Sequence, residues 1–155
     1  MRKYINKIRG ELDPEYAFGQ YWQKQHQPKI IDQNIILSQN SFLMGQNSGI
    51  IILDENIDVL ITGTFEGIVI GKGENKIIVA GKVNAILAAK HIELKPPTSI
   101  NGAIIMEYIS VVAGIILMAK MVHDKLSNII TADQLEDFDY LGSNEFEQAI
   151  SRCQF

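Results

Sequence analysis

The 155-residue chain has a single cysteine, no net positive charge and no long apolar run. Its one cysteine, Cys153, excludes an internal disulfide framework and favours the cytosol. A net charge of −4 argues against a nucleic-acid partner, which needs a basic surface. The uncharged run Tyr108–Ala119 is shorter than the roughly 20 residues of a membrane-spanning helix. The charged first residues lead into no apolar signal-peptide core, which predicts a cytoplasmic protein.

Motifs for catalysis and metal binding are also missing. His26, His91 and His123 do not stand at metal-ligand spacing from cysteine or acidic residues. We find no nucleophile elbow and no phosphate-binding loop. The glycine-rich stretch 71–75 lacks the spacing of a phosphate cradle and is predicted to form a corner between two strands. We therefore expect no enzyme, no catalytic residue, no metal site and no cofactor.

The chain does contain a regular column of small residues. These are Gly49, Gly67, Ala85, Gly102 and Ala119, at steps of 18, 18, 17 and 17. Two residues before them stand Asn47, Phe65, Val83, Ile100 and Leu117, and two residues after them stand Ile51, Val69, Leu87, Ile104 and Met121. Two further columns read Ser41, Val59, Ile77, Leu94, Val111 and Leu43, Ile61, Val79, Pro96, Ala113. Self-similarity at a fixed short period is typical of a solenoid.

The period predicts an all-β single-stranded β-helix, a β-solenoid of about five to six coils. Alternate apolar residues face one side of a strand, and equivalent strands stack about 4.8 Å apart from coil to coil. The glycines at 45, 63 and 81 suit corners that need positive φ. The predicted core ladder consists of Val59, Ile61, Phe65, Val69, Ile77, Val79, Val83, Leu87, Leu94, Ile100 and Ile104.

Two other folds compete with this interpretation. A β-sandwich would show hairpin turns and variable strand spacing instead of aligned columns. A hexapeptide-repeat acyltransferase also turns every 18 residues, but it repeats an aliphatic residue every six positions and uses a histidine at a subunit cleft. Here Gly71, Lys95 and the 17-residue coils break the six-residue step.

The chain divides into three predicted regions. Residues 1–30 form a non-repetitive flank with aromatic residues, residues 31–130 form the β-helix core, and residues 131–155 form an acidic tail. In the tail, Thr131 and Gln134 resemble a capping box for a helix through Leu141 that ends at Gly142. A second short helix is predicted over 144–151. The stretch 120–125 interrupts the alternation and is predicted to be an outward loop or a short helix.

The segments ITGTFEGIVI, IIVAGKVNAILAAKHIEL and KPPTSINGAII, at 61–70, 77–94 and 95–105, resemble consecutive coils of the bactofilins. The shared pattern is a strand, a turn with small residues four positions apart, as at Gly63 and Gly67, and an alternating strand. The resemblance is strong over about 60–120. It implies a right-handed β-helix that polymerises without nucleotide on the cytoplasmic side of a bacterial envelope. It also implies a scaffold that positions cell-wall enzymes or their regulators and influences cell shape.

A solenoid exposes unpaired backbone groups and apolar rungs at its two ends, so uncapped ends favour self-association into a homopolymer. The predicted polymerisation interface is Val111, Leu117, Met121, Leu43 and Ile51. The flanks provide an alternative, since the aromatic residues at 16–22 could cover one end and Leu135, Phe138 and Leu141 the other. That alternative describes a capped interaction module that does not polymerise.

The first ten residues combine basic and apolar side chains, which predicts peripheral contact with the inner face of the cell membrane. The predicted contact residues are Arg2, Lys3, Tyr4, Ile5, Lys7, Ile8 and Arg9. Electrostatic attraction to an anionic leaflet contributes about 1 kcal/mol per basic residue. A solvated start to the chain explains the same composition.

Overall fold

The computed structural model describes residues 34–153, and the predictions for the flank 1–30 lie outside this range. Seven strands follow one another along the described chain: β1 Asn34–Leu37, β2 Ser41–Leu43, β3 Gln46–Leu53, β4 Asp58–Gly71, β5 Lys76–Leu94, β6 Thr98–Val111 and β7 Ile115–His123. Every pairing between them is parallel. The strands wind into a β-solenoid of about five turns, which confirms the predicted fold class.

Each coil presents three faces, which the long strand β4 illustrates. Residues 58–62 form the first face, 64–66 the second face and 68–71 the third face, with bends at Gly63 and Gly67 where φ is +78° and +139°. Inward side chains of successive coils stack into one core, which contains all eleven residues of the predicted ladder. The loop 72–75 turns the chain from the third face to the first face of the next coil, so the glycine-rich stretch is a corner.

The column of small residues is present as a continuous ladder. Gly49 pairs with Gly67, Gly67 with Ala85, Ala85 with Gly102 and Gly102 with Ala119. A Cβ atom on Gly67 would collide with the backbone carbonyl of Gly49, and one on Gly102 with that of Ala85. The column is therefore small because consecutive backbones approach closely at this bend, and its glycines adopt positive φ there.

The two columns on the first face follow the predicted register as far as Ile77 and Val79, and the later step from Leu94 to Val111 also pairs as predicted. Backbone hydrogen bonds then join the N–H of His91 to the O of Asn75 and the N–H of Lys95 to the O of Val79. In other coils, when a backbone N–H donates to a carbonyl of the neighbouring coil, the residue just before the donor is paired with the acceptor residue. For example, the N–H of Asp54 donates to the O of Leu37, and Leu53 is paired with Leu37. Leu94 accordingly lies beside Val79, and its predicted position beside Ile77 is wrong. The corner at Lys90 is shorter than the loop 72–75, and the segment Lys95–Pro97 restores the register.

Asn75 is a fully buried polar residue inside the longer corner. Its Nδ2 donates to the carbonyl oxygens of Asp54 and Ile57, each at 2.7 Å, and its Oδ1 accepts from the N–H of Gly73 at 2.8 Å. The side chain thus joins two successive corners, and the buried amide is satisfied by three hydrogen bonds.

Replacing Asn75 with alanine is expected to cost about 2–4 kcal/mol of unfolding free energy, because the buried carbonyl of Ile57 and the partly buried carbonyl of Asp54 lose their donor. Urea unfolding measures the loss. The control is Asn101→Ala, since Asn101 is exposed on β6 and its replacement is expected to change stability by less than about 0.5 kcal/mol. Equal losses in the two variants would contradict a structural role for the Asn75 amide.

The acidic tail forms a helical layer, which we define as the 3-10 helix Leu126–Asn128 together with α1 Ala132–Leu135, α2 Phe138–Leu141 and α3 Asn144–Ser151. The capping box of Thr131 and Gln134 is present at α1. The helix predicted through Leu141 is instead two single turns, because the Asp137 carboxylate accepts from the backbone of Asp139 and Tyr140 and starts α2. The short helix predicted over 144–151 is α3.

The helical layer lies on the third face of the solenoid. Leu141, Phe146 and Ile150 are buried in a second hydrophobic cluster with the outward side chains of that face. The suggested covering of a coil end by Leu135, Phe138 and Leu141 is therefore wrong. The stretch 120–123 is the end of β7 instead of a loop or helix, because Met121 packs on the inner core while Val122 is buried under the layer.

Polar contacts attach the layer at two places. The Lys72 Nζ lies 2.8 Å from the Glu136 Oε1 and 3.5 Å from the Asp54 Oδ1. The hydrogen bond to Glu136 raises the pKa of Lys72 above its ordinary value, with partial burial acting in the opposite direction. The Lys120 Nζ donates to the backbone oxygen of Ser151 at 2.7 Å. These exposed contacts contribute less than the apolar packing.

Candidate functional site

The C-terminal end of the solenoid is formed by β7 and by the end of β6. Leu117 pairs with Ile100 on one side, and within residues 34–153 no strand pairs with the other edge of β7. Leu117 is 38% exposed and Val111 is 50% exposed, although both belong to columns that are buried in the preceding coils. The rung that they form is an unfilled apolar layer with a free backbone edge.

Five exposed apolar residues of this end were not predicted: Tyr108, Ile109, Val112, Ile116 and Met118. Met118 is 73% exposed and Ile116 is 61% exposed. Both point outward on the second face, where the same two rows carry Thr64, Lys82 and Ser99, and Glu66, Asn84 and Asn101, in the preceding coils. The change from polar to apolar residues in these rows was the sequence signal for them.

Of the remaining predicted interface residues, Met121 lies at the same end, on β7, whereas Leu43 and Ile51 lie elsewhere. Met121 is partly buried against the inner core on the last coil. Leu43 is partly buried on the first face of the first described coil, where β2 pairs with β4. Ile51 is buried between Ile35 and Val69 in its ladder, so it lies inside the solenoid.

The first described coil combines apolar and polar residues. Ile36, Phe42 and Met44 are exposed. Ser41 and Asn47 occupy ladder positions that are apolar in the other coils. Their side chains are satisfied locally, since the Ser41 Oγ donates to the Gln39 oxygen and the Asn47 Nδ2 to the Met44 oxygen, each at 2.8 Å. This rung thus has more polar character than the rung at the C-terminal end.

Charge is sparse at the C-terminal end. From Ile115 to Ala119 the last coil carries no ionisable group. The next ionisable residues along β7, Lys120 and His123, contact backbone oxygens. The Lys120 Nζ donates to the Ser151 oxygen, and the His123 Nε2 lies 2.7 Å from the Glu107 oxygen. The end can therefore contact another apolar surface without burying an unpaired charge.

His91 and Cys153, whose side chains are chemically reactive, make ordinary structural contacts. The His91 ring stacks on Tyr108 with centroids 5.1 Å apart, and the Cys153 Sγ donates to the Ala149 oxygen. No three His, Cys, Asp or Glu side chains in the described part of the chain are arranged to hold a metal ion. A cleft of about 400 Å³ between the corner 71–74 and the helical layer contains the Lys90–Glu74 ion pair. The hydrogen bond to Glu74 raises the pKa of Lys90.

The predicted membrane-contact residues at positions 2–9 lie outside the described residues. Among the helices that are described, none has the length and apolarity to cross a membrane. Comparison of the chain with protein-family models, with curated proteins and with solved structures found no match.

Proposed function

We propose that the chain is a bactofilin-like cytoskeletal scaffold that polymerises end to end through its β-solenoid without nucleotide. The observation that carries the proposal is the apolar, exposed rung of the last coil, where Val111, Leu117 and Met118 border a free strand edge. The resemblance of residues 61–105 to bactofilin coils supports the same role.

Stacking of another copy on this rung is favourable for two physical reasons. Fully burying an exposed aliphatic side chain contributes about 1.5–3 kcal/mol, and Leu117 and Val111, which are partly exposed, would each gain a part of that amount. A second solenoid end also supplies backbone partners to the free edge of β7, which is otherwise solvated. Repetition of this contact needs a second adhesive end, and the exposed Ile36, Phe42 and Met44 of the first described coil are its candidates.

The cellular part of the proposal follows from the resemblance and the composition. Such a polymer would hold cell-wall enzymes or their regulators at the inner face of the cell membrane and thereby influence cell shape. The basic and apolar residues at positions 2–9 would supply peripheral membrane contact. Liposome flotation of the chain with and without residues 1–10 tests this part, and equal binding would contradict it.

Negative-stain microscopy and sedimentation of the purified chain test polymerisation directly. We expect filaments whose amount is unchanged when bound nucleotide is removed with apyrase, because the proposed contact joins apolar side chains and a free strand edge. Discrete small particles at all protein concentrations would contradict the proposal and support the capped module. Compact trimers would instead support a hexapeptide-repeat acyltransferase.

The capped module is the second candidate function. The observation that favours it is the polar rung of the first described coil, where Ser41 and Asn47 satisfy their own hydrogen bonds at ladder positions. A polar terminal rung is typical of capped repeat proteins. In this alternative only the C-terminal end binds a partner, and assembly stops at a discrete size.

A further inference from the structure

The corner between the first and second faces is longer in the last two coils than in the coil before them. Between positions that pair in register, it consists of residues 80–81, then 95–98, then 112–115 in successive coils. All of 95–97 and 112–114 are exposed. The two loops lie against each other, since a Cβ atom on Gly114 would be 3.8 Å from the Cβ of Pro96. The added residues therefore make this corner project from the solenoid.

The projecting corner and the adjoining part of the second face form an apolar ridge. We define the ridge by six exposed residues: Pro96, Pro97, Val112, Ala113, Ile116 and Met118. End-to-end stacking of a second copy covers the inward rung of Val111 and Leu117, whereas the ridge points outward from the side of the solenoid. The proposed stacking contact therefore leaves the ridge uncovered.

The ridge is convex, which limits the partners that fit it. Sites for small molecules and for peptides are clefts or grooves that receive the ligand. A projecting apolar corner is suited instead to a deformable surface. The boundary between lipid headgroups and acyl chains is such a surface, and it accepts apolar side chains to a depth of about 5–10 Å.

The charges at this corner suit an anionic bilayer. The corner residues are 44–45, 62–63, 80–81, 95–97 and 112–114 in the five described coils, and Lys95 is the one ionisable residue among them. Lys95 is exposed, as is Lys82 just after the corner, whereas Glu93 is half-buried on the first face. An open depression of about 420 Å³ beside the ridge is lined by residues that include Gly63, Gly81, Lys82, Pro97, Ser99 and Ile116. Lysines thus border the apolar ridge where headgroup phosphates would lie.

The acidic helical layer lies on the opposite side of the solenoid. It covers the third face, and the ridge stands at the corner where the other two faces meet. Its exposed acidic residues are Asp133, Glu136, Asp137, Asp139, Glu145 and Glu147. An anionic leaflet repels these carboxylates, so electrostatics turns the layer away from the bilayer and the ridge toward it.

We infer that the ridge is a second membrane-contact surface, separate from residues 2–9, which inserts shallowly into an anionic bilayer. Lys82 and Lys95 contact the headgroup phosphates, and the acidic layer faces away from the membrane. The inference rests on the proposed location at the cell membrane but not on polymerisation.

Tryptophan fluorescence in the full chain tests the contact directly. Ile116→Trp places the probe on the ridge, and Gln148→Trp places it at an exposed position of the helical layer. Both chains also carry Trp22→Phe, which removes the chain's own tryptophan. The vesicles contain phosphatidylglycerol and phosphatidylcholine with brominated acyl chains, which quench a tryptophan that reaches them. We expect the ridge probe to be quenched and blue-shifted, and the layer probe to show neither change.

Vesicle flotation measures how much the ridge contributes to binding. Val112→Glu and Ile116→Glu are each expected to raise the lipid concentration for half-maximal binding at least about tenfold, because a carboxylate would enter the apolar boundary. Gln148→Glu adds the same charge to the helical layer and is expected to leave binding unchanged. Circular dichroism checks that the variants keep their β-structure, since both replaced side chains are exposed.

An unquenched ridge probe on vesicles that the chain still binds would overturn the inference and leave contact through residues 2–9 intact. Loss of filaments without loss of flotation in the ridge variants would assign the ridge to contact between copies, and would also overturn it. Failure of the unmodified chain to bind vesicles would contradict both membrane contacts. A quenched ridge probe in a chain that forms no filaments would support the ridge and contradict end-to-end assembly alone.

Discussion

Replacing Leu117 with aspartate is expected to abolish filaments at concentrations at which the unmodified chain polymerises. Leu117 stacks on Ile100 and is open to solvent on its other side, so the replacement leaves the coils beneath it intact. A second copy stacked on this rung would have to bury an unpaired carboxylate, which costs several kcal/mol. We expect the concentration needed for polymerisation to rise at least about 100-fold, which corresponds to about 2.7 kcal/mol.

Sedimentation and negative-stain microscopy measure this effect, and Asn101→Asp is its control. Asn101 is exposed on the outward side of the preceding coil, so the control introduces the same charge without placing it in the ladder. A charge at Phe65 would not serve, because Phe65 is buried in the inner core and its replacement would unfold the chain. Persistence of polymers in the Leu117→Asp chain would show that coil ends are not the contact.

Replacing Gly63 with alanine is expected to destabilise the fold far more than the same change at Gly45. The two glycines pair at one corner of successive coils and have nearly the same φ, +78° and +74°. Positive φ costs alanine about 1–2 kcal/mol at either position. A Cβ on Gly63 would also collide with the backbone carbonyl of Gly45, whereas a Cβ on Gly45 would meet no atom within 4 Å.

We therefore expect about 1–2 kcal/mol for Gly45→Ala and a further 1–3 kcal/mol for Gly63→Ala, measured by urea unfolding. Gly81→Ala separates the two terms, because Gly81 does not have positive φ but its Cβ would collide with the Gly63 carbonyl. Equal losses at positions 45 and 63 would indicate that the corner widens without cost, and that close stacking does not require the glycines.

The register of the solenoid was predictable because each coil repeats the same pattern of inward and outward residues. A strand with period two fixes which side chains point inward, and coils of nearly equal length align them from coil to coil. The pairing of Gly49, Gly67, Ala85, Gly102 and Ala119 follows directly. The position of Leu94 was missed because a shorter corner at Lys90 and a longer one at Lys95–Pro97 cancel in the count of residues.

The apolar C-terminal end was predicted in part. Val111 and Leu117 were identifiable because they are the last members of apolar columns. Ile116 and Met118 were missed because the prediction used only the inward columns, whereas the change from polar to apolar residues occurs in the outward rows. Ile51 was placed at an end although β1 supplies one more rung beneath it.

The sequence by itself determined the solenoid, its inner core and the existence of short helices in the tail, because these depend on periodicity and local capping. Only the tertiary structure decided where the helices lie. An amphipathic helix specifies that one side is buried but not against which surface, and both a coil end and the third face offered aliphatic residues to Leu141 and Phe146. Leu141 and Phe146 pack on the third face because its outward rows form a wide aliphatic surface, whereas the last coil has a single apolar rung.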